Sequence, residues 1–480
     1  MAILDVSEAD FTFSVDVLVI GGGACGLCAG LAASSAGAQV LILEQDATPL
    51  GTSAMSTGLI PAAGTSAQQR AGVVDSPELF AHDICSKSKF RTDEKIVLTL
   101  AGESAKTIEW LTRDHYVPLT LVESFLYPGH SVKRMHGMPN RSGAELMGSL
   151  CNAIEREDIA LLTNARVTIL FADDDGRVRG ARYVRPDGKS EDVACDAVVL
   201  ACCGFAGNSE MLNEFIPEIT DGVFFGHPGN KGDAILWGVA LGAATADMSA
   251  YQGHGGLAKG FGIPILWPCI VEGGIQINVD GERFSDESRG YSEQAVDVLQ
   301  QDGASAWTFY DEQRHQLMLE FDDYKEAVAA GAVRSADTLS EIAMLTKLPI
   351  PNLSRTLADI AIAVETKASD RFGRSFEEKN LLTPPYYAVQ VTGAIFHTQG
   401  GLKVDGNGRV LREDGSLLPN LFAGGGAARG ISGPDASGYL AGNGLLTATT
   451  YGRLAGTAAA NISRQEDLKP NISSRVDVAE

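Results

Sequence analysis

Gly21-Gly22-Gly23-Ala24-Cys25-Gly26, with Gly30 and then Glu44, form the first group in the chain whose types and spacing could do chemistry. That chemistry is dinucleotide binding. Gly21 permits a tight turn, Gly23 lets the backbone approach a pyrophosphate, and Gly26 allows a helix to pack closely on a strand. A helix beginning at Ala24 offers its unpaired N–H groups to the phosphate charge. Glu44, at the end of the next apolar run, is placed to accept hydrogen bonds from a ribose, and its carboxylate disfavours a 2′-phosphate and hence NADP. The motif alone leaves FAD and NAD both open. Cys25 and Cys28 make a C-x-x-C inside it, where packing explains them better than redox chemistry, and no C-x-x-C-H for haem is present.

These residues need a βαβ unit to position them. VDVLVI (15–20) reads as a buried strand, a small-residue helix runs from about Ala24 to Ala36, and QVLIL (39–43) reads as the next strand. From about 165 to 201, ARVTILFA, RVRGARYV and EDVACDAVVLA are strands separated by the turns DDDG and PDGK, a β-meander. From about 310 to 366 helical periodicity takes over, in SADTLSEIAMLTKL and LSRTLADIAIAVETKA, broken at PIPN. Strand signals resume with YYAVQVTGA, GLKVDGNGRVL and LPNLFAGGG. The fold class expected is α/β: a discontinuous Rossmann-like nucleotide-binding domain over 1–249 and 393–480, with an inserted α+β cap over 250–392. A cleft between the two is the expected ligand site.

Composition limits the partners. The 480 residues are 45% hydrophobic and 21% charged, which suits a globular chain of two or three domains. The net charge of −23 repels nucleic acid and anionic membranes, so any clamp for an anionic substrate must be local. No apolar run is long enough to span a bilayer. Asp5, Glu8 and Asp10 precede the first apolar run, unlike a secretory signal, so a cytoplasmic protein is expected. The eight cysteines are scattered through apolar runs and suggest no disulfide framework, and no metal site is expected.

The choice of cofactor comes from resemblance. GTSAMSTGLIPAAGT (51–65) looks like the second flavin-contacting segment of the fumarate reductase and succinate dehydrogenase flavoprotein superfamily. ACCGFAGN (201–208), PGNKGDA (228–234), DGERFSDE (280–287), HTQGGLKVD (397–405), NLFAGGG (420–426) and AGNGLLTATTYGRLAG (441–456) resemble the same superfamily in the same order. The resemblance implies FAD at the interface with the cap. It implies cofactor contacts at Gly21, Gly23, Ala24, Gly26, Glu44, Gly51, Thr52, Ser53, Ser56, Thr57, Gly58, Val167, Gly204, Asp233, Gly424, Gly442 and Leu445. Members with covalent FAD use a His near the second segment. None occurs between 45 and 81, so noncovalent FAD is expected. Gly426 stands where the family often has an acidic residue, which removes one expected ribityl contact.

The same resemblance implies hydride transfer between flavin N5 and one carbon, with a protein group moving a proton at its neighbour. Arg283 matches the proton-donating arginine of fumarate reductases, and its plain alternative is an ion pair with Asp286 or Glu287. His397 and His254 match substrate-binding histidines. The second carboxylate-clamping arginine falls on Tyr439, and the threonine and glutamate that bind the other carboxylate fall on Leu266 and Trp267. A dianion clamp has thus lost about half its polar groups, with Trp267 left to line the substrate site. Tyr291, eight residues after Arg283, has the spacing of the base of ketosteroid dehydrogenases, and Tyr439 matches the tyrosine that holds their ketone with a backbone amide. GYLAGNG also resembles tricarballylate dehydrogenase, which keeps an acid substrate open.

The expectation is an FAD-dependent oxidoreductase acting on a CH–CH bond beside a carbonyl. The favoured reaction is α,β-desaturation of a ketone, cyclic or carboxylate-bearing, with Arg283, Tyr291 and Tyr439 catalytic. The alternatives are reduction of an α,β-unsaturated carboxylate, or service as the flavin subunit of an electron-transfer assembly. With no haem or iron–sulfur motif in the sequence, electrons pass to a diffusible or protein acceptor.

Overall fold

The computed structural model describes residues 2–467, so the end of the outer domain expected over 393–480 lies partly outside the described residues. Its larger sheet has nine described strands. In spatial order they run Ala2–Asp5, Arg166–Ala172, Val178–Val184, Ser190–Leu200, Phe11–Ile20, Val40–Leu43 and Ala160–Leu162, with Leu417–Ala423 against the end of Ser190–Leu200 and Arg409–Leu411 beyond it. Phe11–Ile20 is central, parallel to both neighbours, with Val17–Ile20 opposite Val40–Leu43. Both faces of this strand are covered. Leu18 and Ile20 join one apolar cluster while Val17 and Val19 join another, so the sequence reads as an unbroken apolar run rather than an alternation. The strand starts earlier than the expected residue 15 because Phe11–Ser14 also pair, through a bulge, with Asp192–Ala194.

The helix Ala24–Ser35 follows the first turn, and its small side chains admit a second helix at close range. That partner is the long helix Asn443–Asp467. A Cβ on Gly452 would lie 2.4 Å from the Cys25 carbonyl oxygen, and one on Gly456 would lie 2.1 Å from that of Ala29. Glycine at both positions is what lets the first and last helices touch along their backbones.

The second sheet has six described strands around the 13-residue Tyr386–Thr398. Tyr251–Ala258 lies antiparallel to it, and so does Ala306–Asp311, which carries Ile275–Ile277 on its other edge. Its helices include Tyr291–Leu299, Leu339–Thr346 and Ile350–Thr366. The last two are separated as the PIPN break requires, with Lys347 in the left-handed region and Pro351 in the first turn of the second. The boundary drawn at 392/393 falls inside Tyr386–Thr398, so the chain passes there along a continuous strand. No described helix is long and apolar enough to cross a membrane.

Candidate active site

One continuous cleft runs from the first βαβ turn to the second sheet. At the turn, Gly21 has φ +106°, and a Cβ there would lie 2.6 Å from the Ala201 carbonyl oxygen. A Cβ on Gly26 would lie 1.8 Å from the Gly21 carbonyl oxygen. The helix Ala24–Ser35 has no side-chain cap at Gly23, and only Ala24 N–H finds a partner, Ser53 Oγ at 3.3 Å. Its first turn therefore presents unpaired N–H groups beside Gly21, Gly23 and Ala24, all of which line the cleft. Glu44 Oε2 accepts from Gly22 N at 2.7 Å and Oε1 from Asp46 N at 2.9 Å, which fixes the carboxylate and leaves each oxygen capacity for a ribose.

Gly51, Thr52, Ser53, Ser56, Thr57, Val167, Asp233, Gly442 and Leu445 line the same cleft. Thr52 Oγ1 accepts from His227 N and Asn230 Nδ2 at 3.1 and 2.8 Å. Ser56 Oγ donates to the Ser53 carbonyl oxygen at 2.7 Å. Burial raises the Asp233 carboxyl above its usual range, with Arg166 opposing. Gly26, Gly58, Gly204 and Gly424 are not among the lining residues, and each has a packing reason instead. A Cβ on Gly58 would meet the Ser142 carbonyl oxygen at 2.8 Å, on Gly204 the Thr398 hydroxyl at 2.1 Å, and on Gly424 Cys25 Sγ at 2.6 Å. Gly426 does line the cleft, where a side chain would press on Gly204 N at 2.8 Å and Cys203 Sγ at 3.0 Å. Arg166 and the pair His227–Asp46, at 2.6 Å, are additions at this end that no motif indicated. The uncapped helix and the carboxylate held open fit a dinucleotide.

The other end of the cleft is aromatic and uncharged apart from Asp323, whose carboxyl burial raises to about 6. His254 stacks between Tyr291, at 5.2 Å, and Phe396, at 5.0 Å, and Trp267 meets both His254 and Tyr291 edge-on. The Trp267 N–H is buried with no partner. Tyr439 lies against Tyr291 on one side and His397 on the other, with ring centroids 6.1 and 5.7 Å apart. Its hydroxyl accepts a hydrogen bond from Gly444 N at 3.3 Å. Burial lowers His254 to about 3 and His397 to about 4, so both imidazoles are neutral near pH 7. Burial also holds Tyr127, Tyr291 and Tyr439 above the ordinary phenol range.

Tyr127 completes a trio of tyrosines, and Gln252 and Gln399 add amides; the sequence reading placed none of the three in the site. For Gln252 a signal existed, because two residues before His254 is the same face of a strand. Tyr127 had none. Among the described lining residues Arg166 is the one Lys or Arg, and it belongs to the Glu44 end.

Arg283 is the correction. It is buried but does not line the cleft. Nε donates to Glu287 Oε1 at 3.0 Å, Nη2 to Glu287 Oε2 at 2.5 Å, and Nη1 pairs with Asp370. Arg374 shares Glu287 at 3.0 Å, and Phe372 and Phe376 cover the guanidinium. A cation enclosed by two carboxylates is a structural strut joining Glu287 to Asp370, the alternative raised by the spacing of Arg283 and Glu287. Tyr291, eight residues on at the start of its helix, reaches the cleft instead.

The uncapped glycine turn, the carboxylate at its ribose position and the aromatic far end together define a flavoprotein oxidoreductase. The chain belongs to the FAD-binding fumarate reductase family: the FAD binding domain profile matches residues 16–445, and the chain is an FAD-dependent CH–CH oxidoreductase. It is 28% identical over 454 residues to the fumarate reductase (cytochrome) of Shewanella frigidimarina, covering 94% of this chain and 78% of that one. Among solved structures it is similar to an open flavocytochrome c3 fumarate reductase, with TM-score 0.79, 29% identity, and coverage of 95% and 80%. It is also similar to a 3-ketosteroid-Δ4-(5α)-dehydrogenase from Rhodococcus jostii in complex with 4-androstene-3,17-dione, with TM-score 0.74, 26% identity, and coverage of 96% and 100%.

Proposed function

We propose that the protein interconverts a ketone and its α,β-unsaturated counterpart, with desaturation as the working direction. The observation that carries this is the substrate end itself: three phenols, two neutral imidazoles and an indole N–H, with Lys and Arg absent from that part of the lining. Neutral donors suit an oxygen that is uncharged in the ground state and gains charge as an enolate forms. A dicarboxylate would enter with two charges and meet no cation.

Bound FAD, which we propose is held noncovalently, supplies a two-electron acceptor for the hydride leaving the β-carbon. The chain handles the oxygen and the α-proton. Tyr439 accepts from Gly444 N, and its own proton is the one that donates to the substrate oxygen. Tyr291 moves the proton at the α-carbon. Because burial holds its phenol protonated, taking that proton requires the phenolate, and desaturation speeds up as pH rises toward tyrosine ionisation. His397 orients the substrate, and His254 and Trp267 form the wall that keeps water out.

The kinship with the Shewanella fumarate reductase supports a second reading, reduction of an α,β-unsaturated carboxylate. The carboxylate would then rest on His397 and Tyr439 alone. Anaerobic mixing of oxidised and reduced holoenzyme with cyclic ketones and with enoic acids separates the two. Flavin bleaching by ketones supports the first reading, and flavin reoxidation by enoic acids alone rejects it. The electron acceptor is taken to be diffusible or a protein, and turnover of the isolated chain with an artificial acceptor argues against an obligatory subunit.

A further inference from the structure

The imidazole beside Tyr439 is gripped from behind by a chain of buried side chains. Asn443 Nδ2 donates to Ser432 Oγ at 3.1 Å, and Ser432 Oγ donates to Gln399 Oε1 at 2.8 Å. Gln399 Nε2 then lies 3.1 Å from His397 Nδ1. Direction passes along this chain. The Ser432 hydroxyl has one proton, and giving it to Oε1 turns the Gln399 NH2 toward the ring. An amide NH2 only donates, so Nδ1 must be the bare nitrogen and the ring proton must sit on Nε2. The Thr398 carbonyl oxygen is 3.3 Å from Nδ1 and would favour a proton there. That contact is the longer one, and accepting it would set Nδ1–H against the Gln399 NH2. Turning both amides over would reverse the chain, at the cost of placing the Asn443 NH2 where its Oδ1 now lies buried without a partner.

We infer that Gln399, oriented by Ser432 and Asn443, is a positioning residue that fixes His397 as the neutral Nε2–H tautomer, aiming a second donor beside the Tyr439 hydroxyl at one substrate oxygen. The convergence is visible at Gly444. A Cβ there would lie 2.7 Å from His397 Nε2 and 3.3 Å from Tyr439 Oη, so both polar atoms border the same point. The tautomer follows from the hydrogen-bond chain alone, whereas the shared substrate oxygen rests on the ketone reading above. Burial supports it by keeping the ring uncharged.

The test is long-range proton–nitrogen NMR of holoenzyme labelled with nitrogen-15 histidine, the His397 signal being assigned by its loss in His397→Asn. The wild type should show protonated Nε2 and bare Nδ1. Gln399→Glu puts an acceptor against the ring and should move the proton to Nδ1. Ser432→Ala frees the amide to turn and should bring the two nitrogen shifts toward each other, with the flavin spectrum unchanged. A side chain that merely packs would move neither shift. Nδ1–H in the wild type, or Nε2–H persisting in Gln399→Glu, overturns the proposal. If Gln399→Glu does not fold, an unmoved pair of shifts in Ser432→Ala overturns it. If the ketone panel fails while the wild type keeps Nε2–H, the substrate reading falls and the tautomer assignment stands.

Discussion

The two ends of the cleft are built by different means. The Glu44 end is shaped by backbone: glycines at 21 and 26 where a Cβ would collide with carbonyl oxygens, an uncapped helix, and a carboxylate pinned by two N–H groups. The Tyr439 end is shaped by side chains from Tyr127, Tyr251–Ala258, Trp267, Tyr291 and the Tyr386–Thr398 strand, gathered from across the chain. The first kind of site tolerates little change at its glycines and serves one cofactor. The second can exchange its chemistry residue by residue while the fold stays as it is, and relatives of similar fold carry names as different as fumarate reductase and ketosteroid dehydrogenase.

Breaking the backbone end should have the largest effect. Gly26→Val places carbon 1.8 Å from the Gly21 carbonyl oxygen, and the purified chain should carry no flavin absorbance. Flavin retained at wild-type content would mean that the turn yields. Next is the strut. Arg283→Met removes the cation from Asp370 and leaves Glu287 with Arg374 and the Gln276 N–H, so a denaturant titration should show a loss of about 3 kcal/mol. Flavin reduction per folded molecule should be unchanged, and a large rate loss would return Arg283 to the chemistry.

At the side-chain end, Tyr439→Phe should keep its FAD and reduce it about a hundredfold more slowly, ~2.7 kcal/mol of barrier. A loss under about tenfold removes the oxyanion role. The remaining effect is on pH. His130, His136, His254 and His397 have folded values of about 3, 4, 3 and 4, below the ordinary range. The unfolded chain binds protons at these sites first, so their stabilisation is complete above about pH 6.5 and is lost as pH falls toward the folded values. Each should add about 1.4 kcal/mol per pH unit to the slope, read from denaturant midpoints across that window. A flat profile there would show that these four histidines are wet in the folded protein.

What was legible in the sequence follows the same division. The strands Phe11–Ile20 and Val40–Leu43 and the helix between them were legible because apolar runs and glycine spacing are local facts. Tyr291, Tyr439, His254 and His397 were found through resemblance, and the structure brings them to one wall. Arg283 was misplaced because its motif sits next to the pocket in sequence while Glu287 and Asp370, the latter 87 residues away, decide where its charge goes. Gln399 stood in a recognised motif, yet its influence on His397 depends on Ser432, 33 residues further along, and no spacing reveals that. Tyr127 carried no signal, since an aromatic residue in a loop is ordinarily just that.

The glycine seam between Ala24–Ser35 and Asn443–Asp467 bears on how the protein is born. Gly442, Leu445, Thr447 and Ala448 form one wall of the cleft, and they are synthesised long after the glycine turn that they face. Until they emerge, the glycine turn has nothing to close against. Capture of the cofactor therefore waits on that second wall, and a chain stalled before Leu440 is one that cannot turn yellow.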